Sequence, residues 1–307
     1  MQELIVNGVE LNPREPLKER LVLEDPTRVQ DWIDSFSAAK VLCVVSEEGK
    51  MQDAMERLGY QTRAIAPSSG LLCQEESAIW KSLSGEKAYP CYVLPEQREK
   101  YPPVVNLLEL ISSEEISRAI YQDQPELCTI QNLLNLVNCL LEQSCGKCVF
   151  CREGLGQMQS ILQGIASGTG KAEDLQTLYE LTDLLKAQVL CGFGSTAAQE
   201  ILARMKGGEE DLLAHIEKGH CEQAVCPGLV FYKILGGKCI GCGECLDACP
   251  EDAISGKKRM IHVIREKDCT SCGACAEVCQ EGAIIKCSAL NKPLCPPRPI
   301  PVGAWKK

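Results

Sequence analysis

The segments GGKCIGCGECLDACPEDAI (residues 236–254) and EKDCTSCGACAEVCQEGAI (residues 266–284) align without a gap, thirty residues apart. Each carries cysteines at C-x2-C-x2-C-x3-C spacing: Cys239, Cys242, Cys245 and Cys249, then Cys269, Cys272, Cys275 and Cys279. A duplicated unit of this size predicts a pseudo-symmetric module. Soft thiolates at this density belong to iron–sulfur or zinc chemistry rather than to a disulfide framework. The chain has 21 cysteines in 307 residues, and its start, MQELIVNGVELNPREP, lacks the basic, apolar and small-residue succession of a secretory leader. The expected compartment is the cytoplasm, where thiols stay reduced and bind metal or do redox work.

The spacing resembles that of bacterial two-cluster ferredoxins, in which the fourth cysteine of each run ligates the other cluster. The resemblance implies one [4Fe–4S] set of Cys239, Cys242, Cys245 and Cys279 and a second of Cys249, Cys269, Cys272 and Cys275. Gly241, Gly243, Gly273 and Ala274 leave room for backbone amides to approach the sulfides. Zinc, which takes its cysteines as two pairs, fits these runs poorly.

Upstream, QSCGKCVFCREG (residues 143–154) places Cys145, Cys148 and Cys151 at C-x2-C-x2-C spacing with no fourth cysteine close by. The surrounding sequence is helical. IQNLLNLVNCLLEQ carries Ile130, Leu133, Leu134, Val137, Leu140 and Leu141 on one stripe, and AEDLQTLYELTDLLKAQVL carries Leu175, Leu178, Leu181, Leu184 and Leu185. With GLGQMQSILQGIA and TAAQEILARMK they make four amphipathic helices joined by short loops, which predicts an antiparallel four-helix bundle. Such a topology returns the end of the third helix to the end where the first meets the second. Cys191, in VLCGFGSTAAQ, is the candidate fourth ligand there, with Arg152 a candidate charge partner. SGTGK (residues 167–171) lacks the preceding strand and leading glycine of a phosphate loop and reads as a bundle turn.

EQSCGKCVFCREG, followed by two helices and LCGFG, resembles the cluster-binding end of the NADH-binding flavoprotein subunit of complex I. It equally resembles the β subunits of NAD-linked, often electron-bifurcating, hydrogenases and formate dehydrogenases. The likeness runs from about residue 37 to residue 287, and the fused ferredoxin repeat is a habit of the bifurcating β subunits. It implies one [4Fe–4S] cluster in the bundle, which supports Cys191. CQEESAIWKSLSGEKAYP resembles the family's CGEESALLxSLEGxxGxPR, and YPPVVNLLEL its KPTVVNNVETL. The family's GRGGAGFPTGxKW loop, which cradles flavin phosphate on bare amides, has no counterpart, Gln74 replaces the glycine of CGEE, and the ubiquitin-like module shrinks to ISSEEISRAIYQDQP. Neither FMN nor NAD is therefore expected.

HIEKGHCEQAVC resembles the family's HIxxxxCPxGVC hinge, which in bifurcating enzymes is similar to a zinc site. Carried over by position, the ligands are Cys128, His215, Cys221 and Cys226, a Cys3His set; His220 is the competing histidine, and cysteines buried as small apolar residues are the competing explanation. Cys43, Cys73, Cys91, Cys139, Cys287 and Cys295 have no mutual ligand spacing.

A formal charge of −10 with one dense cationic run, Lys257 to Arg259, argues against a nucleic-acid binder, and no run of eighteen apolar residues occurs. The expected architecture is α+β and multidomain. An irregular N-terminal arm spans 1–36, and a degenerate α/β remnant of the FMN domain with its linker spans 37–124. The four-helix iron–sulfur bundle and zinc hinge span 125–228, a 2[4Fe–4S] ferredoxin domain 229–287, and a proline-rich tail, disordered or laid on a partner, 288–307. The expected function is electron transfer through three [4Fe–4S] clusters in a subunit without a catalytic site of its own. It would serve a complex with a flavin- or metal-bearing partner such as an anaerobic hydrogenase, formate dehydrogenase or aldehyde oxidoreductase, with ferredoxin as a further candidate partner. The alternative is an FMN-containing NAD(P)H dehydrogenase (diaphorase) subunit.

Overall fold

The computed structural model describes residues 3–12, 16–46, 49–65, 70–87, 90–91 and 95–305. The chain divides into two units. One comprises Met1–Gln124, Asn135–Gln159 and Leu178–Arg204, and the other Pro125–Leu134, Ser160–Thr177 and Met205–Lys307.

In the first unit a parallel sheet is built from β1 (Glu3–Asn7), β2 (Lys40–Val45), β3 (Gln61–Ala64) and β4 (Val104–Asn106), in the order β3-β2-β1-β4. Alternate residues face opposite sides. Leu4, Val6, Cys43 and Val45 bury against α1 (Leu17–Glu24), α2 (Pro26–Asp34) and α3 (Lys50–Arg57). On the other face Ile5 and Val44 pack with Ile79 and Trp80 of α4 (Glu76–Leu83). Burial on both faces explains why the strands read as continuous apolar runs rather than alternating ones. Two short helices, α5 (Pro95–Arg98) and α6 (Ser113–Ile120), flank β4.

One expectation needs correction. Residues 1–36 are not an irregular arm, because β1 is an inner strand bonded to both β2 and β4. Among the described residues, Pro16 and Pro26 flank helices. Pro26 takes the first position of α2, where its missing N–H costs nothing, while the Asp25 carboxylate accepts from Arg28 N at 3.2 Å. YPPVVN, within the span expected to hold the remnant domain and its linker, supplies β4, a partner of the inner strand β1; its prolines stop just before the pairing begins, and the Pro103 carbonyl accepts from Ile5 N at 2.9 Å.

Four long helices follow: α7 (Thr129–Gln143), α8 (Val149–Ala166), α9 (Asp174–Gln188) and α10 (Gly192–Gly207), then the shorter α11 (Glu209–Lys218). Each long helix buries a stripe: Leu133, Val137 and Leu140; Leu155, Met158 and Leu162; Leu178 and Leu185; Ala197, Ile201 and Met205. Leu184, expected on the α9 stripe, is 41% exposed, and Thr182 takes its place, its hydroxyl donating to Leu178 O at 2.7 Å. The α7–α8 and α9–α10 loops both belong to the first unit, and the α8–α9 turn belongs to the second.

Downstream in the second unit, β5 (Phe231–Ile234) pairs antiparallel with β9 (Ile284–Cys287), and β6 (Ile254–Ser255) with β8 (Val263–Ile264). Between them lie the one-turn helices α12 (Glu244–Asp247) and α13 (Ala274–Glu277), offset by the thirty-residue repeat. The tail is laid along this module rather than free. β10 (Ile300–Pro301) pairs with β7 (Met260–Ile261), and Trp305 packs with Ile300 against the module's core. Among the described residues no helix is long and apolar enough to cross a membrane.

Candidate iron–sulfur and metal centres

The repeat generates two small cavities. One is lined by Cys239, Cys242, Cys245 and Cys279, the other by Cys249, Cys269, Cys272 and Cys275. In both, three cysteines come from one run and the fourth from the other. Backbone amides already address the sulfurs, one pair of them symmetric across the repeat and one, Ser271 N to Cys269 Sγ at 3.4 Å, without a counterpart among the described residues. Ala253 N donates to Cys249 Sγ at 3.3 Å, and Ala283 N, thirty residues on, donates to Cys279 Sγ at 3.4 Å. Gly243 (φ +103) and Gly273 (φ +86) start the one-turn helices in the left-handed region, the helices that carry the third thiol of each run, Cys245 and Cys275. Burial, and then the neighbouring thiols of Cys239, Cys242, Cys275 and Cys279, push Cys245 up to about 12. Burial and then Cys269 push Cys275 up to about 11. Thiolates crowded this way are stable only beside a cation, so the donor set fits a metal cluster.

Cys145 and Cys148 lie in the α7–α8 loop, and Cys151 in the first turn of α8. Ser144 holds the loop: its Oγ lies 3.3 Å from Cys151 Sγ and accepts from Gly146 N at 3.2 Å. Cys191 immediately precedes α10 and is drawn toward this loop. Burial first, opposed by the Phe193 amide and reinforced by the Glu75 carboxylate and the Cys145 thiol, sets its pKa at about 11. Glu75 accepts a hydrogen bond from Gly192 N, fixing the residue next to Cys191. Arg152 acts on the backbone rather than as an isolated charge, with Nη1 donating to Gly146 O at 2.7 Å and Nε pairing with Glu153 at 2.8 Å.

The third constellation is the tightest. The ligand atoms of Cys128, His215, Cys221 and Cys226 all lie within 4.8 Å of one another, and all four residues are buried. Cys128 Sγ and Cys226 Sγ are 3.4 Å apart, near the ~3.8 Å edge of a tetrahedron with ~2.3 Å zinc–sulfur bonds. His215 Nδ1 lies 2.7 Å from Asp211 O and 3.2 Å from Asp211 Oδ1, so it donates to that residue. Its Nε2 is buried with no hydrogen-bond partner among the described residues. An orphaned imidazole nitrogen beside three thiols is the signature of a ligand atom awaiting a cation, and the carboxylate behind it is the usual orienting group. Burial is the largest influence and works against the imidazolium, but Asp211 together with the Cys128 and Cys221 sulfurs outweighs it, and His215 is pushed up to about 12. Hydrogen bonds from Cys128 and Cys226 hold the Cys221 thiolate far below its ordinary range. His220 is committed elsewhere: its Nδ1 accepts from Leu290 N at 3.2 Å and Nε2 meets Glu222 at 2.9 Å.

Sequence reasoning passed over Asp211, Glu75 and Ser144. Asp211 was findable, since it stands four residues before His215 on one helix face. The other two act through folding contacts that no local pattern records.

At the carboxyl edge of the parallel sheet, strand order reverses beside β1, where open α/β sheets form their ligand crevice. Side chains fill it here. Lys18 Nζ, fully buried, donates to Asn7 O at 3.0 Å and to Gln74 Oε1 at 2.8 Å. Gln74 Nε2 donates to Val9 O at 3.1 Å, and Asn106 Nδ2 donates to Gln74 Oε1 at 3.0 Å.

Residues 131–215 match the NADH-ubiquinone oxidoreductase-F iron-sulfur binding region, and residues 238–283 match a 4Fe-4S dicluster domain. The NADP-reducing hydrogenase subunit HndC of Solidesulfovibrio fructosivorans is 38% identical over 122 residues, 40% of this chain and 25% of the relative. The F-type NADH-quinone oxidoreductase subunit of Mycobacterium tuberculosis H37Rv is 30% identical over 94 residues, 31% of this chain and 21% of the relative. The match thus spans a quarter or less of these relatives. An NAD+-reducing [NiFe]-hydrogenase in the air-oxidized state has a similar fold, with a TM-score of 0.52 and 15% identity over 70% of this chain and 57% of that one. The chain is an iron–sulfur protein related to the F-type and HndC-type subunits, with [4Fe–4S] clusters as its cofactors.

Proposed function

We propose that the chain is an electron-relay subunit of a multisubunit oxidoreductase, holding three [4Fe–4S] clusters and one zinc ion. Cys145, Cys148, Cys151 and Cys191 would bind the cluster at the end of a four-helix bundle. The sets Cys239/Cys242/Cys245/Cys279 and Cys249/Cys269/Cys272/Cys275 would bind the ferredoxin pair, and Cys128/His215/Cys221/Cys226 the zinc. A [4Fe–4S] cluster supplies one-electron transfer. The protein's part is to hold thiolates, donate amides to sulfur and exclude water. The single observation that carries the reading is the pair of cavities in which each fourth cysteine comes from the opposite run.

The α/β domain is read as a former flavin domain that has become a docking module. The described residues at its switch point do not fit a phosphate group. A phosphate cradle needs bare amides, whereas Gln74, where relatives have glycine, reaches into the crevice and bonds with Lys18, Val9 and Asn106. The proposed setting is cytoplasmic and anaerobic. Partners would be a flavin- or metal-bearing subunit of a hydrogenase, formate dehydrogenase or aldehyde oxidoreductase, in a complex that bifurcates electrons if the HndC likeness extends to the assembly. Anaerobic purification followed by flavin extraction and NADH-driven dye reduction tests the reading. The relay subunit yields no flavin and no turnover alone; stoichiometric FMN with NADH oxidation would replace it by a diaphorase.

A further inference from the structure

The two ferredoxin cavities are built from a repeat, and among the positions that differ between them one places a ring against each set of cysteines. Tyr232, on β5, and His262, between β7 and β8, are thirty residues apart and thus equivalent in the repeat. Tyr232 lines the cavity of Cys249, Cys269, Cys272 and Cys275, and His262 lines that of Cys239, Cys242, Cys245 and Cys279.

The two rings address sulfur differently. His262 is 1% exposed, and its Nδ1 lies 3.9 Å from Cys239 Sγ, within reach of a long N–H···S hydrogen bond. Its Nε2 is buried without a hydrogen-bond partner among the described residues. A proton on Nε2 would thus be a buried donor with no acceptor, whereas on Nδ1 it meets a thiolate, so the Nδ1–H tautomer is favoured. The ring is also held in place. A Cβ on Gly256 would come within 2.1 Å of His262 Cδ2, so the neighbouring backbone has no space for a side chain while the imidazole is there. Tyr232 differs, because its hydroxyl lies against Gly273 and donates to no sulfur among the described residues.

We infer that His262 donates Nδ1–H to the Cys239 thiolate and makes the Cys239/Cys242/Cys245/Cys279 cluster more easily reduced than it would be without that donor, as Ser271 N, 3.4 Å from Cys269 Sγ, does for the other. Each added electron makes cluster and ligands more negative, and a fixed N–H dipole aimed at a ligand sulfur stabilises that state. The inference depends on the cluster reading proposed above.

The test is an EPR-monitored redox titration of the full chain, purified anaerobically, beside variants of both positions. Iron and sulfide analysis of the unaltered chain tests the cluster reading separately, and a chain without iron overturns both. With clusters present, His262→Phe is expected to lower the reduction equilibrium of one component about tenfold, or about 59 mV for one electron. His262→Asn, which restores a short N–H donor, should recover part of the shift. Tyr232→His should raise a different component. A titration of His262→Phe that matches the unaltered chain at full iron content overturns the inference. Should His262→Phe lose iron, Tyr232→His decides: a raised second component supports the proposal, and an unmoved one overturns it.

Discussion

At the residue scale, chemistry is concentrated where a side chain has no use for its burial except a cation. His215 is the clearest case, with one ring nitrogen bonded to Asp211 and the other facing thiols. Replacing Cys221 by Ser is expected to take bound zinc from about one per chain toward zero while leaving iron content unchanged, as elemental analysis would show. Asp211→Asn keeps all four ligands but weakens their orientation; its zinc affinity should fall about 10- to 100-fold in a chelator competition. Lys18 gives a prediction of a different kind. Burial, partly offset by Glu10, brings it down to about 7 from the usual 10.5. Between those two values the unfolded chain binds a proton that the folded chain does not, so stability conferred at this site rises with pH across that window. Protection factors of the β1 amides, measured by hydrogen exchange from pH 7 to 10.5, should climb in the unaltered chain and climb less in Lys18→Met.

At the element scale, the cysteine runs were legible because ligand spacing is local: two intervening residues bring successive thiols to one side of a turn whatever surrounds them. The helices were legible from their stripes, although Leu184 and Thr182 exchanged roles, since a periodic pattern fixes a face only to within about one residue on its rim. The strands were less legible. β1 and β4 are joined through about a hundred residues of sequence, and nothing in ELIVN or YPPVVN records that pairing. The tail misled for the same reason, because its two-residue strand owes its place to β7 and to the packing of Trp305. The turn before α13 offers a test at this scale. In Gly273→Ala, a Cβ would meet the Tyr232 hydroxyl at 2.8 Å in a backbone with φ +86, a strain of about 1–3 kcal/mol. Iron should fall by about one cluster in three, with loss of a single EPR component.

At the scale of the whole molecule, the candidate ligand sets are divided between two structural units, each with its own. The described cysteines outside the four ligand sets serve the scaffold or stand apart from them. Cys43 lies in the sheet core, where burial pushes its thiol up to about 12, and Cys139 accepts from Gln143 Nε2 at 3.2 Å. At the carboxyl edge of the parallel sheet the polar side chains of Lys18, Gln74 and Asn106 bond to one another, and electron relay is the activity proposed for the chain. That proposal meets its most direct test in one measurement: iron, acid-labile sulfide and flavin per chain in the anaerobically purified protein, with spin quantitation after reduction. The account predicts about twelve iron and twelve sulfide, three reducible [4Fe–4S] centres and no flavin. An iron-free chain, or one carrying stoichiometric FMN, would contradict it.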